Sequence, residues 1–572
     1  MEFLKRTCAA EIAAAAATLF PAATLTAEDV VGMLDYPPDP QMGDLALPCF
    51  KLAKALRTSP VVIAQKLADS IKTNRFSRIE AVNGYLNFFM NGAAFTAQVV
   101  GDVAAQGDRY GSPMDGMGKT VVLDYSSPNV AKPFHVGHLG TTVIGHSLKL
   151  LYEFAGWKTV GINYLGDWGT QFGKLILAYR TWGSREEVEA GGIDSLVALY
   201  VRINNAIDDT DEGRALADAA RAEFRKMEEG DPDNIALWKW FIEISLKEYE
   251  KTYRQLNITF DSYKGESFYT DKMPAQVQKL RDMGLLKIDD GASIVDLEPY
   301  GMPPCLILKR DGSTLYPTRD IAAAVYRKEH YGFDRAIYVT SAQQTLHFKQ
   351  WFQVVKMMGY PWAEELVHIP YGTVSINGAK LATRTGNVVL LRDVFAQAIE
   401  KVATIMVEKN PALAGREDIA EQVGVGAIVF HYLSNNRIRD INFIMEDALS
   451  FDGNTGPYAQ YTYARTCSVM RRYEGTPEWK AETVTPEETE LAKAISRFSE
   501  RVKAALEEHE PSYITRYILD LCAAFNRFYH ECPILSCEDE VVRESRVALT
   551  AATRTVLGTA LHLICMATPE QI

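Results

Sequence analysis

The feature that most constrains this chain is a short run near residue 120. Val121, Val122 and Leu123 are apolar without a break. A strand wetted on one face alternates apolar with polar residues, so an unbroken run fits a parallel strand buried on both faces. Residues 126 to 135 read as a loop, and 138 to 155 have helical spacing that ends at Gly156. A second strand covers roughly residues 158 to 165. Strand, loop, helix and strand in that order form the first half of a doubly wound sheet.

The rest of the chain organises around this unit. Residues 1–112 read as a small α/β domain, with a turn-rich segment at Pro37, Pro38, Pro40 and Gly43 and a strand at 84–90. Residues 113–395 form the α/β domain proper, interrupted at about 184–260 by a charged, helical insertion. The sheet is expected to resume at 305–309, before a turn at Asp311-Gly312. Further strands are expected at 336–340 and 367–372, with a helix to about Met358 between them. From 396 to 572 every strong pattern is helical, and the segments 419–436, 456–473, 486–509, 512–530 and 541–565 predict a separate bundle.

Composition narrows the class. A chain of 572 residues exceeds one compact domain, and 47% hydrophobic with 23% charged residues is ordinary for a globular enzyme. No apolar run is long enough to cross a bilayer. Lys5 and Arg6 precede an Ala-rich stretch, but Glu11 interrupts it, so a helix is expected there instead of a signal peptide. The eight cysteines include no CxxC pair and read as reduced thiols, so no metal site is assigned and a cytoplasmic location is expected. A net charge of -13 excludes a general nucleic-acid coat protein, yet leaves room for a specific RNA held on one basic face.

The sharpest chemical signal is HVGH at 135–138, between the buried strand and the helix. A helix N-terminus offers unpaired N–H groups and partial positive charge to a phosphate. Two imidazoles can add hydrogen bonds as charge develops, and Gly137 would let a flat base approach the backbone. Four residues alone could be incidental; the strand before and the helix after give them meaning.

HVGH resembles the HIGH motif of class I aminoacyl-tRNA synthetases. The longer string LDYSSPNVAKPFHVGHLGTTVIGHSL is similar to the arginyl-tRNA synthetase signature, as are GDWGTQFG at 166–173, DGSTLYPTRDIAAAVYR at 311–327 and SFDGNTGPYAQYTYAR at 450–465. GDLALPCFKLAKALRTSP resembles that family's extra N-terminal domain. The resemblance implies a Rossmann-type catalytic domain with a helical insertion, a small α/β N-terminal domain that touches the tRNA elbow, and an all-α anticodon-binding bundle. It also implies a two-step reaction. Arginine is activated by ATP, with Mg2+ carried by the ATP phosphates, and is then passed to the 3′-terminal ribose of tRNA(Arg) by a monomeric enzyme.

Residue by residue, the resemblance assigns His135, His138 and Lys132 to catalysis and, with Gly137, Lys380 and Arg384, to ATP. KLATRTGN at 380–387 stands where most class I enzymes have KMSKS, and Lys132 matches a lysine thought to substitute for the missing one. Gly140 departs from the family, which commonly has Arg there. Asp124, Asn129, Tyr316, Asp320 and Gln344 match contacts to L-arginine, with Glu266 a weaker addition. A guanidinium is a planar, permanently charged fork that needs carboxylates in matching orientation, and Asp320 is the expected bidentate partner. Without the resemblance, Asp124 would read as a strand-end cap and Asp320 as a helix N-terminal charge. In the bundle, Arg437, Arg439, Arg465, Arg471 and Arg472 lie among Tyr458, Tyr461 and Tyr463, a mixture suited to unstacked bases. Tyr458, Tyr461 and Arg465 are the expected tRNA contacts.

Other readings are a synthetase for another amino acid, a nucleotidyltransferase without tRNA, and a tRNA-binding paralogue without catalysis. The set Asp124, Tyr316 and Asp320 disfavours the first. The helical last third disfavours the second. The joint presence of His135, Gly137, His138, Lys132 and Asp320 disfavours the third.

Overall fold

The computed structural model describes residues 2–22, 24–376, 379–380, 389–409, 416–451 and 453–572. Its centre is a four-stranded, wholly parallel sheet in the spatial order Leu366–Tyr371, Arg335–Ser341, Thr120–Asp124, Lys158–Ile162. Val121, Val122 and Leu123 are at most 1% exposed, as the unbroken apolar run requires. The chain lays its second strand on one side of Thr120–Asp124 and its later strands on the other. A crevice therefore opens at the carboxyl ends of the two middle strands, where ligands bind in such sheets.

The strand near 305 does not resume this sheet. Cys305–Leu308 pairs antiparallel with Ala292–Val295, which pairs with Leu286–Asp289, making a separate three-stranded sheet. The reason is burial. Cys305 and Ile307 are buried while Leu306 is 40% exposed, so the strand has one wet face and suits an antiparallel edge. Helix Tyr316–Tyr331 then carries the chain back to the central sheet.

The insertion is built of helical segments, Arg185–Ala206, which breaks at Gly192, Asp211–Glu228 and Pro232–Gln255. Ser184, Thr210 and Asp231 cap them, each accepting from the backbone N–H three residues on. Their apolar faces close over Phe172, Leu175 and Ile176 of helix Thr170–Trp182, so in packing terms the insertion begins before residue 184.

The last third is helical, with helices Glu417–Leu433, Gly456–Arg471, Pro486–Ser496, Phe498–Glu507, Ser512–Glu531 and Glu540–Leu563. One short strand departs from the expected pattern. Ile441–Phe443 runs parallel to Val374–Ile376, stitching the bundle to the segment after the central sheet. The N-terminal unit begins with helix Glu2–Leu19, as expected, and includes a three-stranded antiparallel sheet. It docks on the bundle, where Lys493 Nζ lies 2.6 Å from the Asp44 carboxylate and the Tyr36 hydroxyl donates to Glu500 at 2.6 Å.

Candidate functional site

The loop after Thr120–Asp124 is conformationally costly. Ser126, Ser127 and Ala131 all have positive φ, which residues with a Cβ rarely adopt. The insertion holds them there. From helix Pro232–Gln255, the Tyr249 hydroxyl donates to the carbonyls of Asn129 and Lys132, both at 2.7 Å. Ser245 Oγ accepts from Ala131 N at 3.0 Å, and the Tyr253 hydroxyl meets Ser126 Oγ at 2.8 Å. Gly166 packs against the loop from the other side, where a Cβ would lie 2.2 Å from Asn129 Oδ1.

HVGH forms a single 3-10 turn, Val136–His138, leading into helix Leu139–Phe154. The backbone N–H of Gly137 donates to His135 Nδ1 at 3.0 Å, and that of His135 donates to His138 Nδ1 at 3.1 Å. Each Nδ1 is thus an acceptor, which assigns the ring proton to Nε2 in both neutral imidazoles. Burial, reinforced by the neighbouring His135, pushes His138 down to about 3. Burial and the Lys132 charge also lower His135. Both rings are therefore neutral Nε2–H donors at physiological pH.

One reading of this turn changes. Its backbone donors are not free for phosphate: Val136 N donates to Val389 O, Gly137 N to the His135 ring, and His138 N to His135 O. A phosphate would meet the ring N–H groups and the helix dipole instead. Gly137 also makes room for a neighbour, since a Cβ there would lie 2.8 Å from the His135 ring.

Gly140 has an equally local explanation. A Cβ would lie 2.1 Å from the Tyr432 hydroxyl and 3.1 Å from the Tyr371 ring. The bundle's first helix thus fills the space into which a side chain at 140 would project.

The crevice holds a cavity of about 580 Å³. It brings together Asp124, Asn129, Tyr316, Asp320 and Gln344 with Glu266 and His138. Among the described residues its charged lining comprises the carboxylates of Asp124, Glu266 and Asp320 against the guanidinium of Arg327, an excess of negative charge that suits a cation. Asp124 is not free to take that cation. Its Oδ2 lies 2.8 Å from Arg327 Nη2, and its Oδ1 accepts from Ser127 Oγ. Both side chains are buried, so Asp124 neutralises an internal arginine. Asp320 Oδ2 is 2.6 Å from His347 Nε2, and Glu266 Oε2 is 2.6 Å from Arg319 Nη1. Burial pushes the Glu266 carboxyl up to about 7; Arg319 opposes this, while Asp320 and Asp167 add to it. Asp167 shapes that corner by accepting from Ser267 N and Oγ, at 2.8 and 2.6 Å.

Other expected residues are placed as follows. Lys132 is exposed, outside this cavity but close enough for its charge to reach both imidazoles. Lys380 ends strand Ala379–Lys380, paired with Val374–Ile376, and Arg384 lies outside the described residues. At the far end of that stretch, Leu390 bridges to His135. Tyr458, Tyr461 and Arg465 share helix Gly456–Arg471. Arg465 lies over the half-exposed rings of Tyr461 and Tyr529, at 5.1 and 4.9 Å, and donates to Asn526. Arg437 does not join that surface. Its guanidinium donates to the carbonyls of Pro370, Glu508 and His509, bolting the bundle to the edge strand of the central sheet. Arg471 likewise donates to the Glu570 carbonyl. Sequence reading does not single out Arg327 and His347, which line the cavity, or Arg319, which pairs with the lining residue Glu266. Arg319 and Arg327 fall within the matched motif at 311–327 and His347 lies three residues after Gln344, but nothing in their spacing says they turn inward.

The family model for the catalytic domain of class I tRNA synthetases (R) matches residues 100–445, more than half of the chain. The chain belongs to the arginyl-tRNA synthetase family. The family's N-terminal domain model matches residues 6–90, and the DALR anticodon binding domain matches 459–572. An arginine–tRNA ligase of Alkaliphilus metalliredigens is 48% identical over 95% of this chain and 96% of its own length. One from Clostridioides difficile is 47% identical over 96% and 97%. Among solved structures, Thermus thermophilus arginyl-tRNA synthetase superposes over the whole of both chains with a TM-score of 0.81 at 25% identity. Family membership carries the class I catalytic domain and the anticodon-binding bundle, the architecture seen here.

Proposed function

We infer that this chain is an ATP-dependent arginine–tRNA ligase, and we propose that the cavity is where it joins arginine to ATP. The observation that carries this reading is the cavity's mixed lining. It joins His138 of the HVGH turn with the carboxylates Glu266 and Asp320. The side chain of L-arginine would enter toward Glu266 and Asp320, with Tyr316, Gln344 and Asn129 around it. Asn129 suits the substrate's ammonium or carboxylate end. Asp124 would act indirectly, by holding Arg327.

The arginine carboxylate then attacks the α-phosphate of ATP in line, forming the P–O bond of arginyl-adenylate as the bond to pyrophosphate breaks. No covalent bond to the protein is needed; the work is positioning and stabilisation of developing charge. The Nε2–H groups of His135 and His138 would donate to phosphate oxygens, beside the N-terminal end of helix Leu139–Phe154. Lys132, Lys380 and Arg384 would add positive charge to the triphosphate. Mg2+, held by the phosphates themselves, would neutralise part of that charge. In the second step a hydroxyl of the tRNA 3′-terminal ribose attacks the arginyl carbonyl, and AMP leaves.

We divide the chain into 1–112, 113–395 and 396–572, with tRNA(Arg) reaching from the first to the last. Tyr458, Tyr461 and Arg465 would receive anticodon bases, because a guanidinium between exposed tyrosines offers both charge and stacking faces. No helix among the described residues is long and apolar enough to cross a membrane. We assign a monomer in the cytoplasm; the eight unbridged cysteines fit a reducing compartment.

The deciding experiment is exchange of labelled pyrophosphate into ATP, with each amino acid in turn, with and without tRNA(Arg). Exchange that needs both arginine and tRNA is expected. Exchange with another amino acid would keep the class and overturn the specificity. No exchange from a folded chain that binds tRNA would favour a non-catalytic paralogue.

A further inference from the structure

We propose that Arg319 and His347 are positioning residues that hold the two guanidinium-binding carboxylates in a fixed orientation, leaving one oxygen of each for the substrate. This rests on the reading of Glu266 and Asp320 as the partners of arginine. Each carboxylate has one oxygen engaged by an internal donor: Arg319 Nη1 on Glu266 Oε2 and His347 Nε2 on Asp320 Oδ2, both at 2.6 Å. Glu266 Oε1 and Asp320 Oδ1 remain as acceptors for a ligand in the same cavity.

The two pairs are shielded, with side-chain exposures of 13% and 16% for Arg319 and Glu266, and 27% and 20% for His347 and Asp320. Ion pairs held in this way are screened less than surface pairs and fix direction as well as charge. Their supports are rigid. Arg319 and Asp320 are neighbours near the start of helix Tyr316–Tyr331, so one backbone sets both. His347 lies in the first turn of helix Thr345–Met357, three residues after Gln344, and its ring meets the edge of Phe348. Phe348 in turn stacks on His368, with ring centroids 4.3 Å apart.

The arrangement has a consequence for selectivity. Two carboxylates free to rotate would accept any compact cation. Two with one oxygen each held in place present separated acceptors, which a planar fork can meet at once and a point charge cannot. Arg319 and His347 thus add discrimination without touching the substrate, while Arg319 also opposes the effect of burial on Glu266.

The test uses the full chain with cognate tRNA and measures KM for arginine, KM for ATP and kcat separately. His347→Leu is expected to raise KM for arginine about tenfold, the scale of one hydrogen bond to a charged group, and to leave KM for ATP unchanged. Arg319→Met should do the same, and Arg319→Lys should recover part of the loss by restoring the charge. The telling readout is coupling. Placed on Asp320→Asn, His347→Leu should add less than twofold, because it acts through a carboxylate already removed. Placed on Glu266→Gln, Arg319→Lys should behave alike. A general packing defect would instead add in full and raise both KM values, and that outcome overturns the proposal, as does an unchanged KM in His347→Leu and Arg319→Lys. Should Arg319→Met fail to fold, those two variants still decide it. If Asp320→Asn and Glu266→Gln themselves leave KM for arginine unchanged, the underlying assignment of the pocket fails instead.

Discussion

The two parts of the candidate site achieve polarity by opposite means. At the HVGH turn the groups are neutral: two imidazoles whose Nδ1 atoms are occupied by backbone N–H groups, beside a helix N-terminus. In the other part the groups are carboxylates, each already partnered inside the protein. The difference fits the roles proposed for the two parts. Charge on a phosphate builds up during the reaction, so donors that are fixed and uncharged beforehand act mainly on the transition state. A guanidinium is charged throughout, so its site must balance a permanent cation, and internal counter-ions keep that site foldable without the ligand.

The comparison breaks most readily by removing one group from each part. Asp320→Asn should weaken arginine binding by about 3–5 kcal/mol, the cost of leaving a buried charge without its partner, with KM for ATP little changed. His138→Ala should do the reverse, lowering kcat about 10²–10³-fold, as loss of one oxyanion-type donor does, while arginine still binds. Steady-state kinetics on both variants checks this; matching losses in the same parameter would show that the parts are not separate.

A smaller effect is expected at Gly140. Gly140→Ala drives a methyl group against the Tyr432 hydroxyl, and should cost about 1–3 kcal/mol of stability, typical of overpacking. Chemical denaturation measures it, and Tyr432→Ala in the same chain should relieve part of the clash. A neutral result would mean that the bundle helix shifts freely against the HVGH helix.

The smallest effect is the pH response. Burial pushes the Glu266 carboxyl up to about 7, and a bound guanidinium would favour the carboxylate. Affinity for arginine should therefore level off above pH 7 and fall as pH drops below it, by at most tenfold per unit. His138, held down at about 3, adds no matching dependence in the other part. Glu266→Gln should flatten the profile. A slope that survives in that variant would assign the titration to another group.

Much of the fold was legible because its signals are local. The apolar run at 121–123, the stop at Gly156 and the helical spacing of the last third each describe one element in its own environment. Cys305–Leu308 was misplaced because a four-residue apolar stretch does not say which sheet it joins. In the site, motif matching found Asp124, Asn129, Tyr316, Asp320 and Gln344, and the cavity gathers all of them with Glu266. It did not find that Asp124 is spent on Arg327, or that Arg437 faces carbonyls when the sequence placed it among RNA-binding side chains.

The sequence by itself determined the class of fold, the HVGH turn and the identity of the polar groups, because these depend on residue type and short spacing. Only the tertiary structure decided which carboxylate oxygens remain for a ligand, why no side chain fits at 140, and which helix braces the strained loop at 126–131. Those properties come from contacts between residues tens to hundreds of positions apart, and a charge shows its partner only when the chain has brought the two together.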